Sequence, residues 1–115
     1  MKILKAVKKY LSENEMSWEQ IYKDFYNYSY EESTLKDVLW ELENEQVITF
    51  QLSGERTTDD YWVVATTGAQ IDGNYVTIVF NHDVQIYDNL EETCEMFERF
   101  EKQAQNINKK IEEIK

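Results

Sequence analysis

The sequence predicts an α+β fold: three short N-terminal helices, an antiparallel β-meander and a long C-terminal helix. Three observations predict it. Apolar residues recur every three or four positions from Ile3 to Leu11, from Trp18 to Phe25 and from Leu35 to Leu42, the period of a helix with one buried face. β-Branched and aromatic residues then crowd Val47 to Tyr87 between polar, turn-forming runs. From Leu90 onward the helical spacing returns and holds to Ile114. Residues 1–88 thus read as an α+β domain and 89–115 as a terminal amphipathic helix.

The first helix is expected over Lys2 to Ser12, with Ile3, Leu4, Val7 and Leu11 as its apolar stripe. Lys2, Lys5, Lys8 and Lys9 lie on or beside the other face, better read as a solvated surface than as a phosphate-contacting patch. The second helix has a marked start. Ser17 can cap it, Gln20 stands three residues on as the reciprocal partner of a capping box, and Met16 can staple against Ile21. Trp18, Ile21, Tyr22 and Phe25 then face inward. In the following FYNYSYEEST, Tyr26, Tyr28 and Tyr30 exceed what a turn requires. At least one belongs in the core, and the others, beside Glu31 and Glu32, would form an aromatic and acidic surface.

The third helix starts at Ser33 or a few residues earlier and ends near Glu45. Leu35, Val38, Leu39 and Leu42 form its inner face, and Lys36, Asp37, Trp40 and Glu41 its outer one. An exposed Trp40 implies binding; a buried one is simply core. Strands are expected at Val47–Leu52 and Tyr61–Thr66 around the polar tip SGERTTDD, where Arg56 is outnumbered by Glu55, Asp59 and Asp60. Asp72-Gly73-Asn74 signals a turn into Tyr75–Phe80. Asn81, His82 and Asp83 make a second turn into Val84–Tyr87, for a meander of three or four strands.

The run STLKDVLWELENEQVITF, with SGERTTDD beyond it, resembles the second half of a winged helix-turn-helix. That resemblance covers little over half of the chain. It implies that the third helix holds the place of a recognition helix and that the polar tip is the wing. Base-reading helices present Arg, Lys, Asn or Gln to the major groove, whereas this one offers mostly acid.

The charge sharpens that conflict. The 115 residues carry a formal net charge of -11 at pH 7. Residues 1–65 hold 13 acids and 7 bases, and residues 66–115 hold 10 and 5, so neither half hides a basic module. Such a chain repels phosphate overall. In size, charge and fold type it is similar to phage-encoded inhibitors of host defence such as anti-CRISPR proteins. That similarity implies a viral inhibitor acting in the host cytoplasm on a basic, nucleic-acid-handling protein. The residues expected to bind that partner are Tyr26, Tyr28, Tyr30, Glu31, Glu32, Asp37, Trp40 and Glu41. The alternative is a homodimeric winged-helix transcription regulator, touching DNA through Lys5, Lys8, Lys9, Lys36 and Arg56.

Catalysis is not expected, and neither a cofactor nor a metal is implied. His82 has no second histidine to work with and reads as a turn residue. The single cysteine, Cys94, reads as a packing residue on the last helix and fits a reducing cytoplasm. No apolar run approaches the roughly 20 residues of a membrane span.

Asn89 and Glu92 can cap the last helix. Leu90, Thr93, Phe97, Phe100, Ala104, Ile107, Ile111 and Ile114 fall at heptad a and d positions. Glu95 with Arg99 and Glu98 with Lys102 have the favourable acid-first spacing. Such a helix would run about 37 Å, against roughly 30 Å for so small a domain. Homodimerisation through Leu90, Phe97, Phe100, Ala104, Ile107, Ile111 and Ile114 is the expected consequence.

Overall fold

The computed structural model describes residues 1–27, 30–56, 61–71, 73–80 and 86–114. Among these, four α-helices and a three-stranded antiparallel sheet form an α+β arrangement. The order is α1 (Lys2–Glu13), α2 (Trp18–Asn27), one 3-10 turn (Tyr30–Glu32), α3 (Thr34–Asn44), β1 (Gln51–Arg56), β2 (Tyr61–Ile71), β3 (Asn74–Phe80) and α4 (Leu90–Ile114). Tyr28, His82 and Val84, each given a part by the sequence, lie outside the described residues.

Local chemistry explains most helix boundaries. α1 buries Ile3, Val7 and Leu11 and stops where Glu15 turns left-handed at φ 53°. Met16 N–H then donates to Leu11 O at 2.9 Å, which closes the helix end. The same device ends α3, with Gln46 at φ 61° and Val47 N–H bonded to Leu42 O at 2.8 Å. Both left-handed positions hold non-glycine residues; Leu11 and Leu42 are buried, and Met16 and Val47, which follow the turns, pack half-buried against the same core. At α2 the capping box forms as expected: Ser17 N–H donates to Gln20 Oε1 at 2.9 Å and Gln20 N–H to Ser17 Oγ at 3.3 Å. α3 starts just after Ser33, but its first N–H is capped from another helix, Thr34 N–H donating to Asp24 Oδ2 of α2 at 2.6 Å. The Ser33 hydroxyl donates instead to Tyr30 O.

The sheet corrects the expected strands. Val47–Phe50 joins no ladder, and β1 begins at Gln51. Ile48 and Phe50 turn into the core, while Thr49 donates its N–H and hydroxyl to the Glu101 carboxylate of α4 at 2.7 and 3.1 Å. The backbone that a strand would use is thus spent on a helix. Ser53–Arg56, expected within the polar tip, belongs to β1 and pairs with Tyr61–Val64 of β2. β2 continues to Ile71 and returns through Gly73, at φ 82°, into β3. Ile86 and Tyr87, expected in a fourth strand, are not in the sheet. Their carbonyls accept from α2 instead, Ile86 O from Tyr26 Oη at 2.8 Å and Tyr87 O from Trp18 Nε1 at 2.9 Å.

α4 opens on the expected Asn89 cap, whose Oδ1 accepts from Glu92 N–H at 3.2 Å. Its apolar stripe, however, is consumed within the chain. Phe97, Phe100, Ala104 and Ile111 are all buried. Phe50 meets Phe97 at 6.0 Å and Phe100 edge-on at 5.7 Å between ring centroids, and Thr67 of β2 bonds to Asn108 at 3.2 Å. Leu90 and Ile107 are half-buried against the same core; the Ile114 side chain lies outside those described. Most of the described residues of the expected dimer seam are thus turned inward in this chain. Residues on both sides of the 88/89 division share one core, which joins Ile3, Val7, Leu39 and Phe50 to Cys94, Phe97 and Phe100.

Candidate partner-binding face

α3 divides sharply into two faces. Leu35, Val38, Leu39 and Leu42 are buried, whereas Trp40 keeps 62% of its surface exposed. Asp37 is exposed and Glu41 half-buried on the same outer side. Tyr10 of α1 comes close to both acids: burial raises the pKa of its phenol, and the Asp37 and Glu41 carboxylates raise it further. The outer side of α3 thus sets Trp40 among Asp37 and Glu41, with Tyr10, a residue to which the sequence gives no such part, beside the acids.

Next to Trp40 lies an open cleft of about 280 Å³ between α3 and the Ile48–Leu52 segment. Tyr30, Leu39, Ile48, Phe50 and Leu52 make its floor, and Lys36, Trp40, Glu43 and Gln51 its rim. The Gln51 side-chain amide donates to Glu43 Oε1, bridging the two walls. Glu43 and Gln51 gave no signal in the sequence, because the second wall comes from a segment that reads as a strand.

The other expected partner-binding residues are dispersed. Tyr30 is 4% exposed and belongs to the core, a correction forced by the 3-10 turn that swings it under α3. Tyr26 is exposed, but its hydroxyl is engaged with Ile86 O and its ring packs edge-on against Tyr22 and Phe25. Burial, followed by Tyr22, raises its pKa. Glu32 is exposed; the side chains of Glu31 and Arg56 lie outside those described. Lys5, Lys8 and Lys9 stay exposed along α1, with Lys9 3.9 Å from Glu13.

Two buried or half-buried acids on α4 have structural work that the heptad reading assigned to the surface or overlooked. Glu98 Oε1 accepts the Ile3 N–H at 3.0 Å and so caps α1. Glu101, 7% exposed, holds Thr49. Its signal was present: with Phe97, Phe100 and Ala104 it completes an i, i+3, i+4, i+7 inner face. Cys94 is fully buried, and burial, then the Glu98 carboxylate, pushes its thiol up to about 12 against a weak pull from Lys8. Such a thiol stays protonated and packs. Among the described residues no group of three His, Cys, Asp or Glu side chains is placed to share a metal ion. No described helix is long and apolar enough to cross a membrane.

No protein-family model matches this chain, and neither a curated protein nor a solved structure matches it.

Proposed function

We propose that the chain is a non-enzymatic binding module that presents the outer face of α3 to a basic, nucleic-acid-handling protein. The observation that carries this reading is Trp40. A tryptophan 62% exposed on a helix whose opposite face is fully buried costs solvation and contributes nothing to the core. Exposed aromatic side chains of this kind are the usual anchors of protein interfaces. Asp37 and Glu41 beside it, within a chain of net charge -11, favour a cationic partner and disfavour nucleic acid. The succession α2, 3-10 turn, α3 and antiparallel sheet supports a winged-helix-like arrangement, in which α3 takes the recognition position with its charge inverted. An inhibitor that competes for a nucleic-acid-binding surface, as anti-CRISPR-type proteins do, fits that inversion.

The test is affinity capture of basic nucleic-acid-handling proteins, run beside a low-salt mobility-shift assay on mixed duplex DNA. Capture should weaken about tenfold or more on Trp40→Ala and fall further on Asp37→Asn with Glu41→Gln, with no DNA shift. A DNA shift that fades steeply with added salt, and capture indifferent to these changes, would replace this reading with the transcription-regulator one.

A further inference from the structure

We propose that the cleft beside α3 receives an arginine side chain of the basic partner, its guanidinium lying between the Trp40 indole and the Glu43 carboxylate. This rests on α3 being the partner-binding face; it adds which residue type the face selects and where.

The cleft is built for a long side chain with an apolar stem and a cationic head. Its volume of about 280 Å³ is just under the range of pockets that hold drug-sized ligands, so it suits one or two side chains. The floor is apolar, with Leu39, Ile48, Phe50 and Leu52 between 0% and 8% exposed, and long basic side chains lay their methylenes along such surfaces while the head stays wet. At the rim, Trp40 offers the best aromatic face for a cation. Glu43 stands three residues further along α3, on the same side of the helix, and its carboxylate is held in place by Gln51 across the cleft.

Charge sets the orientation of the occupant. Lys36 also lines the cleft, but seven residues before Glu43, about 10 Å along the helix axis. The Glu43 carboxylate stands at the other end, and it is there that a cationic head finds an acid. Arginine is preferred to lysine because its planar guanidinium both stacks on indole and matches carboxylate geometry, whereas an ammonium does neither as well.

The experiment is an NMR titration of the intact chain with acetyl-tetra-arginine amide and acetyl-tetra-lysine amide, peptides of equal charge. The Trp40 indole N–H and the Gln51 side-chain amide report on the cleft. Arginine should bind about fivefold or more tighter, shifting both signals as the guanidinium competes with Gln51 for Glu43. Glu43→Gln and Trp40→Ala should each erase the preference, and Trp40→Phe should retain part of it. All three changes fall outside the core, and amide dispersion verifies the fold. Equal affinity for both peptides, or a preference untouched by Glu43→Gln, overturns the arginine clamp while protein capture through Trp40 still upholds the binding face. Silence at the cleft with both peptides, together with capture indifferent to Trp40→Ala, overturns both. Shifts of the same signals on raising protein concentration without peptide assign the cleft to a second copy of the chain and overturn the clamp.

Discussion

Cys94 shows how far one residue's surroundings change its chemistry. In the folded chain its thiol keeps its proton up to about 12 rather than about 9, because apolar neighbours disfavour the thiolate and Glu98 repels it. A thiol with a raised folded-state pKa contributes stability that is fully present below about pH 9. That contribution is lost as pH rises from about 9 towards 12. Tyr10 and Tyr26, also raised from 10.0, push in the same direction at higher pH. Melting temperature should therefore fall between about pH 8 and 10.5, and Cys94→Ala should flatten the early part of that fall relative to its own value at pH 8. An identical slope in both proteins would remove the thiol from the account. Glu101 carries the opposite lesson. It is an acid in an apolar stripe, and its burial is tolerable because Thr49 and Gln105 supply donors.

At the scale of elements, α4 is the piece that the others need. It covers Phe50 with Phe97 and Phe100, caps α1 through Glu98, and holds the approach to β1 through Glu101. Removing it exposes a set of large apolar side chains and orphans the donors of Ile3 and Thr49. Each hydrogen bond lost costs roughly 0.5–1.5 kcal/mol, on top of the loss of apolar burial. A chain of residues 1–88 should thus lose amide dispersion in NMR and cooperative melting. Retention of both would show that α4 is an appendage after all. The helix ends point the same way: α1 and α3 close with left-handed Glu15 and Gln46, sites where glycine would fit with less strain. α3 also relies on Asp24 of a neighbouring helix rather than on its own Ser33.

For the whole molecule, the burial of the α4 stripe changes the expected assembly. With Phe97, Phe100, Ala104 and Ile111 inside one chain, most of the described heptad stripe is already covered within the protomer. Sedimentation at micromolar concentration should give a monomer of 13.8 kDa, and a dimer abolished by Ile107→Asp would restore the seam. Monomeric behaviour suits a competitor that covers one basic surface. It suits a reader of palindromic DNA poorly, since such readers match two half-sites with two protomers. The charge of -11 acts at this scale too: it should speed encounter with a cationic partner and make the rate strongly dependent on salt.

Much of this was legible along the chain. Helical periodicity placed Leu35, Val38, Leu39 and Leu42 inward and left Trp40 outside, because an amphipathic helix has only one way to bury such a stripe. The Ser17/Gln20 box and the Asn89 cap are local hydrogen bonds between residues three apart, so spacing alone determines them. What spacing cannot say is which body an apolar face meets. The α4 stripe serves a coiled coil and an intramolecular core equally well, and only the tertiary structure shows Phe50, Thr67 and Ile3 meeting α4. For the same reason Val47–Phe50 reads as a strand until Glu101 takes its donors, and Tyr30 reads as surface until the turn carries it under α3. The cleft is likewise a tertiary product. Its walls are separated by the left-handed turn at Gln46, and only that reversal lays Gln51 against Glu43.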